Sequence, residues 1–245
     1  MLEPKLSKQL PARVVLDLIM NFLILGRGKT GSLVTEVARE RGHEVRVLGA
    51  AENSHASALT PNALADIDVV IDFTTPHAVL ENVAACVLAG KNIVVGTTGW
   101  YNELPRIKQM VEKSGSGLLY AANFSIGVNL FFEIARTAST ALRHQYFGQI
   151  FERHHAHKKD APSGTAMALQ RVVQDISGAK VEITSFREGD VVGMHELVFD
   201  CPADTIYLCH NAKSRRGFAE GAIRAAEWLA GKAGFFDFKD VWREV

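Results

Sequence analysis

The hydrophobic pattern from residue 21 onward alternates between two kinds of segment. Short runs of consecutive apolar residues are typical of strands buried on both faces. Between them lie longer segments whose apolar residues recur every three or four positions, which is typical of helices that cover a sheet. The predicted strands are 22–25, 45–48, 69–73, 93–95 and 118–121, and the predicted helices are 32–40, 78–88 and 103–113. This alternation predicts an α/β fold with a Rossmann-type parallel sheet.

The connection between the second and third predicted strands differs from the other connections. Residues 51–66 are few and include Pro61, which removes a helical hydrogen bond and clashes with the preceding turn. The neighbouring connections carry helical patterns without such an interruption. We therefore expect this crossover to lack a full helix.

After residue 123 the pattern becomes that of a smaller α+β domain. A long helix is predicted over 128–144 and another after Pro162, and β-rich segments lie at 146–151, 181–186, 195–199 and 205–209. A last helix, 214–230, has apolar residues on one face and is expected to pack back on the first sheet. We therefore predict a discontinuous dinucleotide-binding domain (20–125 and 213–245), a substrate-binding and oligomerisation domain (126–212) and an N-terminal extension (1–19).

The composition excludes several classes of partner. The 245 residues are 47% hydrophobic and carry 27 basic and 27 acidic side chains, so the formal net charge is zero, which argues against a nucleic-acid or membrane partner. No apolar run approaches the roughly 20 residues that span a bilayer. The three cysteines are too widely separated to indicate a disulfide framework, so we expect a reducing, cytoplasmic location.

The first predicted strand leads directly into a glycine-rich turn. Gly26, Gly28 and Gly31 form the pattern G-x-G-x-x-G at a strand-to-helix junction, which is the dinucleotide-binding fingerprint in its usual context. The first glycine permits the tight turn, the second lets a pyrophosphate approach the backbone, and the third allows close packing of the helix. Lys29 and Thr30 complete the loop, and the phosphate-loop pattern of NTPases lacks its first glycine here.

Further cofactor contacts are expected from the ends of the later strands. Glu52 lies about 20 residues beyond the glycine loop, where an acidic residue binds ribose hydroxyls, and a solvated loop carboxylate is the alternative. Arg27 and Lys29 lie where a 2′-phosphate could be neutralised, so NADH and NADPH both stay open as cofactors. Small hydroxyl-bearing turns at strand ends suit a nicotinamide and its ribose. The residues of these turns that we expect to contact the cofactor are Phe73, Gly96, Thr97 and Thr98.

The segment 152–166 concentrates groups that can donate protons. Imidazolium and ammonium groups bind carboxylates and act as general acids, so a substrate with two acidic groups is well matched. A helix is expected to begin near Ser163, a predicted N-cap, and such a helix start attracts anions. A solvated loop or a metal site is the alternative, but the cysteines supply no ligand at zinc-site spacing, so we expect no metal. The donors are His154, His155, His157, Lys158 and Lys159.

The chain resembles the dihydrodipicolinate reductase family from residue 21 to its C-terminus. The most specific match is the segment from Glu152 to Thr165, with the pattern E-x-H-H-x-H-K-x-D-A-P-S-G-T. Other matching signatures lie at 96–99, 122–129, 187–190 with Gly193 and His195, and 214–215 with 218–219. The resemblance implies reduction of a small cyclic dicarboxylate by NADH or NADPH, with loss of a hydroxyl as water, to give tetrahydrodipicolinate.

The resemblance also implies roles for individual residues. His154 and Lys158 match the family's proton-donating pair, and His155, Gly164 and Thr165 match its contacts to the substrate carboxylates. A homotetramer formed between the second-domain sheets is implied in the same way. The nicotinamide-side loops are matched by Gly96, Thr97, Thr98, Ala121, Ala122, Asn123 and Phe124.

Three points stay open in the sequence. His154 and Lys158 are four residues apart and converge only if the loop turns between them, so our hypothesis that His154 is the acid and Lys158 binds a carboxylate is one of two assignments. The glycine loop is one residue shorter than the family's more usual form, which leaves the NADH or NADPH preference open. Another two-domain NAD(P)-dependent dehydrogenase, or an NAD(P)-binding redox sensor without turnover, would keep the glycine loop but has no need of the histidine cluster.

Overall fold

The computed structural model of the protein describes residues 19–245, so the predicted N-terminal extension lies outside the described residues apart from Ile19. The strands are β1 (Asn21–Leu25), β2 (Glu44–Leu48), β3 (Val69–Asp72), β4 (Asn92–Val95), β5 (Gly117–Tyr120), β6 (Phe147–His154), β7 (Glu182–Arg187), β8 (Gly193–Asp200), β9 (Thr205–Ala212) and β10 (Gly234–Asp237). The helices are α1 (Lys29–Glu40), α2 (Ala78–Leu88), α3 (Leu104–Ser114), α4 (Ile126–Ala138), α5 (Gly164–Ser177), α6 (Arg216–Leu229) and α7 (Phe238–Val241).

Within the described residues, six parallel strands form the first sheet, in the order β10, β5, β4, β3, β1, β2. Every residue of β3 is buried, as expected of a strand with helices on both faces. Helices α1 and α6 cover one face, and α2 and α3 cover the other. The strand order reverses beside β1, so a crevice opens at the carboxyl ends of β1 and β3. The predicted Rossmann-type α/β fold is confirmed.

The connections of this sheet agree with the sequence pattern, and one strand, β10, was not predicted. The crossover from β2 to β3 contains the 3₁₀ helix Ser54–Ala56 and no α-helix in the described chain, as expected from Pro61. Helix α6 packs on the first sheet, as predicted. The pattern did not predict β10, which pairs with β5 at the edge, because Phe235 and Phe236 are the only apolar residues of that strand and do not form an apolar run.

The second sheet holds four strands within residues 19–245, in the order β7, β6, β8, β9. Strands β6 and β7 are parallel, and the other pairs are antiparallel. Helices α4 and α5 cover one face, where Phe131, Leu169 and Val173 pack in one core with Ile150 and Leu197. This mixed sheet with helices on one face confirms the predicted α+β character of the region.

The helix predicted over 128–144 is wrong in its second half. Helix α4 ends at Ala138, and the chain continues as the 3₁₀ helix Ser139–His144. Ser139 is fully buried and donates its hydroxyl to the carbonyl oxygen of Ala135 at 2.6 Å. A serine hydroxyl that competes for a helical carbonyl weakens the helix at that point, and apolar periodicity does not report this effect.

The helices are of ordinary length for a globular fold. Helices α5 and α6 have 14 residues each and bury one stripe of side chains against their sheets. Among residues 19–245, no helix combines the length and the apolar character needed to cross a bilayer.

Helix α6 approaches the loop after β5 too closely for a side chain at Gly221. A methyl group there would lie 1.8 Å from the carbonyl oxygen of Phe124, which is a backbone atom and cannot turn away. We expect Gly221→Ala to lower the free energy of unfolding by roughly 1–3 kcal/mol, the usual cost of overpacking. Urea titration followed by circular dichroism measures this difference.

The matched control is Gly217→Ala, one turn earlier in the same helix. A methyl group at that position would lie 3.7 Å from the hydroxyl oxygen of Ser125, an ordinary contact. Alanine favours a helix over glycine by about 0.5–1 kcal/mol. The control should therefore be at least as stable as the parent, and equal destabilisation by both substitutions would contradict the close contact at Gly221.

Candidate active site

The crevice at the carboxyl ends of β1, β3 and β4 contains a cavity of about 320 Å³. Its walls are the glycine loop, the turn after β3 and the turn after β4, which the strand order brings together beside β1. The structure therefore gathers most of the predicted cofactor residues around one cavity. The lining residues are Gly28, Lys29, Thr30, Gly31, Phe73, Thr74, Pro76, Gly96, Thr97 and Thr98.

Each glycine of the loop has a different surrounding. Gly26 adopts a φ of +106°, and a methyl group on it would lie 2.2 Å from the carbonyl oxygen of Phe73. A methyl group on Gly31 would lie 2.2 Å from the carbonyl oxygen of Gly26, so these two glycines permit the turn and the helix packing. No atom lies within 4 Å of the corresponding position on Gly28. The middle glycine therefore faces open space.

The start of α1 fits the pyrophosphate of a dinucleotide. The N-cap residue is Gly28, and no side chain caps the first turn or places a negative charge in it. The first N–H groups of a helix have no partner within the helix, and the helix dipole adds positive potential there. Open space before Gly28 together with these donors matches an anionic group.

Glu52 is paired with protein groups in this structure. One carboxylate oxygen lies 2.6 Å from a guanidinium nitrogen of Arg27, and the other accepts a hydrogen bond from the backbone N–H of Gly49 at 2.6 Å. The Gly49 amide and the Arg27 guanidinium lower the pKa of Glu52. Arg27 and Gly49 line a second cavity of about 480 Å³ that continues the crevice towards the end of β2. The role of Glu52 as a ribose partner stays a prediction, since both oxygens already have donors.

Aromatic packing shapes the middle of the crevice. A methyl group on Gly96 would lie 2.1 Å from the ring of Phe73, so that glycine makes room for the ring. Phe124 is buried, with its ring 6.3 Å from Phe73 and 5.0 Å from Phe238, so its side chain belongs to the core. Thr97 is also buried, whereas Thr98 is exposed. Of the two threonines, Thr98 therefore offers its hydroxyl to a ligand.

The loop after β5 lies on a third cavity, of about 490 Å³, between the first sheet and α5. Ala121, Ala122 and Asn123 line this cavity, opposite Ala168 and Val172 of α5. The predicted nicotinamide-side loops thus lie on two cavities rather than one.

The histidine cluster is assembled by strand pairing. Side chains alternate between the faces of a strand, so Glu152 and His154 lie on the same face of β6 as the core residue Ile150. His195 on β8 is paired with Glu152, and Arg187 on β7 is paired with His154. Three strands thus bring four polar side chains together on the face that the helices cover.

Glu152 is the fully buried centre of this cluster. Its two oxygens lie 2.7 and 3.0 Å from the two terminal nitrogens of Arg187, and Nδ1 of His154 lies 2.5 Å from one of them. Burial alone would raise the pKa of Glu152, but the hydrogen bonds from Arg187 and His154 outweigh burial and lower the pKa to about 2. The carboxylate therefore stays ionised, so Nδ1 of His154 carries a proton and Nε2 points away from Glu152.

His195 joins the cluster to the start of α5. Its ring lies 5.2 Å from the ring of His154, and its Nε2 lies 3.0 Å from the hydroxyl oxygen of Ser163. That hydroxyl also accepts a hydrogen bond from the backbone N–H of Ala166 at 3.1 Å, which confirms Ser163 as the N-cap. Burial, together with the neighbouring His154, lowers the pKa of His195 to about 4, so the ring is neutral and shares a hydrogen bond with the Ser163 hydroxyl.

His154 titrates below the ordinary range of histidine. Burial lowers its pKa most, the Lys158 and Arg187 charges act in the same direction, and Glu152 opposes them. The backbone N–H of Lys158 donates to the carbonyl oxygen of His155 at 3.1 Å, and the ammonium group of Lys158 is held by the carboxylate of Asp160 at 2.7 and 2.9 Å. The loop does turn between the two predicted proton donors.

The predicted substrate contacts surround the start of α5. Gly164 and Thr165 form its first turn, where N–H groups lack helical partners, and no atom lies within 4 Å of a methyl group placed on Gly164. His155 is half-buried in the preceding loop and donates its backbone N–H to Val191 at 2.7 Å. These positions leave an anion-binding turn beside the His154 cluster.

Three members of the cluster were not assigned roles from the sequence, namely Glu152, Arg187 and His195. Glu152 could have been found from its spacing, since residues two apart on a strand share a face. Arg187 and His195 lie far from His154 in sequence, and only the register of the second sheet brings them together. Across residues 19–245, no group of three or more His, Cys, Asp or Glu side chains is arranged to hold a metal ion.

Comparison with known proteins agrees with this geometry. Residues 20–124 match the family model described as dihydrodipicolinate reductase, N-terminus, and residues 127–242 match the model described as dihydrodipicolinate reductase, C-terminus. The 4-hydroxy-tetrahydrodipicolinate reductase of Christiangramia forsetii is 35% identical over 242 residues, covering 92% of this chain and 99% of that protein. The enzyme of the same name from Neisseria meningitidis is 38% identical over 199 residues, covering 73% of each.

A solved structure shows the same fold. Dipicolinate-bound dihydrodipicolinate reductase from Paenisporosarcina superposes with a TM-score of 0.76 at 23% identity, covering 91% of this chain and all (100%) of that one. Fold and comparisons together define an oxidoreductase that uses NADH or NADPH, with a Rossmann-type sheet and a second, mixed sheet. The chain belongs to the dihydrodipicolinate reductase family.

The pairing of Glu152 makes the stability of the protein depend on pH. The pKa of Glu152 in the folded protein, about 2, lies below the ordinary glutamate pKa of about 4.3. The ionised carboxylate therefore stabilises the fold fully above about pH 4.3. This stabilisation is lost as the pH falls from about 4.3 towards about 2. Glu152→Gln should cost roughly 3–5 kcal/mol at neutral pH because it leaves Arg187 unpaired in the interior. Urea unfolding at several pH values should show this difference narrowing below pH 4.

The control for this measurement is Glu112→Gln. Glu112 is exposed and lies 3.9 Å from Lys108 on the surface of α3. An exposed pair of this kind contributes roughly 0–1 kcal/mol, so we expect little change at any pH. A Glu152→Gln protein as stable as this control would show that the buried pair does not stabilise the fold.

Proposed function

We infer that this protein is a 4-hydroxy-tetrahydrodipicolinate reductase, which reduces its small cyclic dicarboxylate substrate with NADH or NADPH. Water is lost, and the product is tetrahydrodipicolinate. Chain-long identity of 35% to a reductase of that name supports this assignment. The observation that carries the chemistry is the 2.5 Å contact between the buried Glu152 carboxylate and Nδ1 of His154, beside an open helix start. A dehydrogenase acting on an uncharged substrate, or a sensor without turnover, has no use for that arrangement.

His154 is the proton donor in this proposal. The carboxylate of Glu152 fixes Nδ1, so proton delivery falls to Nε2 on the other side of the ring. Lys158 binds a substrate carboxylate and lowers the barrier electrostatically, leaving Asp160 when substrate enters. His155, Gly164 and Thr165 complete the carboxylate contacts with an imidazole and two backbone N–H groups.

The cofactor would be held along the carboxyl edge of the first sheet. Gly26, Gly28, Lys29, Thr30 and Gly31 surround the pyrophosphate. Glu52 and Arg27 stand at the adenosine end, and the turns at 96–98 and 121–124 bound the nicotinamide end. When bound, the cofactor supplies a hydride to the substrate. The protein's own part is to hold the ring against the substrate and to deliver a proton from His154 to the carbon that gains negative charge.

The domain division, assembly and location of the protein are further parts of the proposal. Residues 20–125 with 213–245 form the dinucleotide-binding domain, and 126–212 form the substrate and oligomerisation domain, which agrees with β10 joining the first sheet. Tyr207 and Val198, paired across β8 and β9, face away from the helices, and this outer face is the surface that we propose for a homotetramer. We place the enzyme in the cytoplasm, with no nucleic-acid or membrane partner.

Turnover tests the assignment directly. Substrate is made in place from pyruvate and aspartate semialdehyde by the preceding synthase, and oxidation of NADH and NADPH is followed at the nicotinamide absorbance. We expect rapid oxidation by the parent and a loss of kcat on the order of 100-fold in His154→Gln, since a general acid contributes roughly 10²–10⁴-fold. His144→Gln, an exposed histidine at the end of the 3₁₀ helix, serves as the control.

The Lys158→Met variant distinguishes two roles of Lys158, binding of the substrate carboxylate and stabilisation of the transition state. A fall in kcat supports the transition-state role, whereas a rise in KM alone would contradict it. If the parent binds NADH but does not oxidise it with this substrate, the assigned reaction is wrong. Another dehydrogenase activity, or a redox sensor, would then be the better assignment.

The pH dependence of turnover follows from the pKa of His154. The imidazolium is the proton donor and its pKa is lowered, so kcat/KM should fall as the pH rises through that value. Glu152 raises the pKa of His154, so Glu152→Gln should move this falling limb to lower pH. An unmoved limb in that variant would contradict His154 as the group that titrates.

A further inference from the structure

Asp72, the last residue of β3, is a fully buried carboxylate without a cationic partner among the contacts of the described residues. One oxygen accepts hydrogen bonds from the hydroxyl of Thr97 at 2.6 Å and from the N–H and hydroxyl of Thr74 at 3.0 and 2.8 Å. The other accepts from the side-chain amide of Asn82 at 2.8 Å. A buried carboxylate is costly unless such bonds satisfy it, so its presence calls for an explanation.

The first branch of this network joins the turns after β3 and β4. The Thr97 hydroxyl donates to Asp72 and at the same time accepts from the backbone N–H of Thr74 at 2.7 Å. The backbone N–H of Gly96 donates to the carbonyl oxygen of Asp72 at 2.9 Å. The two turns that wall the 320 Å³ cavity are therefore held to one side chain.

The second branch reaches the loop after β2. Asn82, on α2, is buried, and its side-chain oxygen accepts a hydrogen bond from the amide of Asn53 at 2.9 Å. Asn53 in turn accepts from the backbone N–H of Ala58 at 3.2 Å and donates its own N–H to the carbonyl of Gly49 at 3.1 Å. Asn53 and Gly49 line the 480 Å³ cavity at the adenosine end.

A continuous chain of hydrogen bonds thus runs behind both cavities, from Thr97 through Asp72 and Asn82 to Asn53. Loops at strand ends lack the hydrogen bonds of a sheet, so such side-chain bonds decide where the loops lie. Bonds in one network polarise each other, so each bond of this chain supports its neighbours. Asp72 touches neither cavity, so its effect on a ligand must pass through these neighbours.

We propose that Asp72 is a positioning residue that sets the loops at both ends of the dinucleotide site, so that its loss weakens binding of the adenosine half and the nicotinamide half together. The proposal rests on use of NADH or NADPH and is independent of the identity of the reduced substrate. Thr97 acts in the same way through its inward hydroxyl.

The test is ligand binding without substrate, using Asp72→Asn. The amide keeps the shape of the side chain but puts an NH2 group where a donor already points. We expect the Kd for NADH to rise by about tenfold or more, as for an unsatisfied buried group. Titration with AMP and with reduced nicotinamide mononucleotide as separate probes should show both halves weakened.

The matched control is Asn92→Ala. Asn92 is the first residue of β4 and lies at the amino ends of the strands, opposite the carboxyl ends where the cavities lie. Asn92 donates to the carbonyls of Leu229 and Lys232 at 2.8 and 2.9 Å and accepts from Gly117 N–H at 2.6 Å. Its loss should lower the Tm while leaving the Kd for NADH within about twofold. A lowered Tm with unchanged NADH binding in Asp72→Asn would show that the carboxylate only stabilises the fold, and would overturn the proposal.

A second variant covers the case in which Asp72→Asn does not fold. Thr97→Val removes one hydroxyl, and Thr97 lines the 320 Å³ cavity but not the adenosine cavity. Weaker AMP binding in Thr97→Val, with recovery in Thr97→Ser, supports transmission through Asp72. Loss confined to reduced nicotinamide mononucleotide would show that the two ends are not coupled. These experiments measure ligand binding and not turnover. A negative result would therefore overturn the positioning role of Asp72 without bearing on the assigned reaction.

Discussion

The ion pair between Glu152 and Arg187 is the interaction on which the second half of the molecule depends. A carboxylate with no exposed surface has to be compensated, and the guanidinium meets it with two parallel hydrogen bonds across the β6–β7 pairing. The same carboxylate orients His154 and accepts the backbone N–H of Ser163 at 3.3 Å. One charge therefore connects two strands, the His154 imidazole and the start of α5.

The first sheet contains a buried carboxylate as well, and the two differ in how they are compensated. Glu152 is matched by a cation, and its pKa falls. Asp72 has neutral donors, and burial raises its pKa although the bonds from Thr97, Asn82 and Thr74 oppose this. The Arg187 guanidinium neutralises the charge of Glu152, whereas the hydroxyl and amide donors around Asp72 satisfy its oxygens without a cation. The two sheets thus bury a carboxylate in two different ways.

The sequence predicted what depends on local pattern and missed what depends on distant pairing. Apolar runs located the strands of the first sheet, and the glycine spacing located the turn where Gly26 and Gly31 are packed against backbone. The roles of Arg187 and His195 depend on the register of three strands, which no local spacing encodes. Strand β10 has only two apolar residues and so no apolar run, and the end of α4 depends on one buried serine hydroxyl. Thr97 lines the cavity where the sequence predicts it, and the inward bond of its hydroxyl to Asp72 is visible only in the structure.

The return of α6 and β10 to the first sheet has a consequence for the order of folding. Helix α6 covers one face of that sheet together with α1, and β10 closes the edge beside β5, yet α6 and β10 both follow the whole of the second sheet in the chain. During synthesis the second sheet is complete when residue 212 has emerged, while the first sheet still lacks α6 on one face and β10 at its edge. The part of the protein that is made first is therefore the part whose sheet is completed last, since β10 joins β5 only when residue 237 is available.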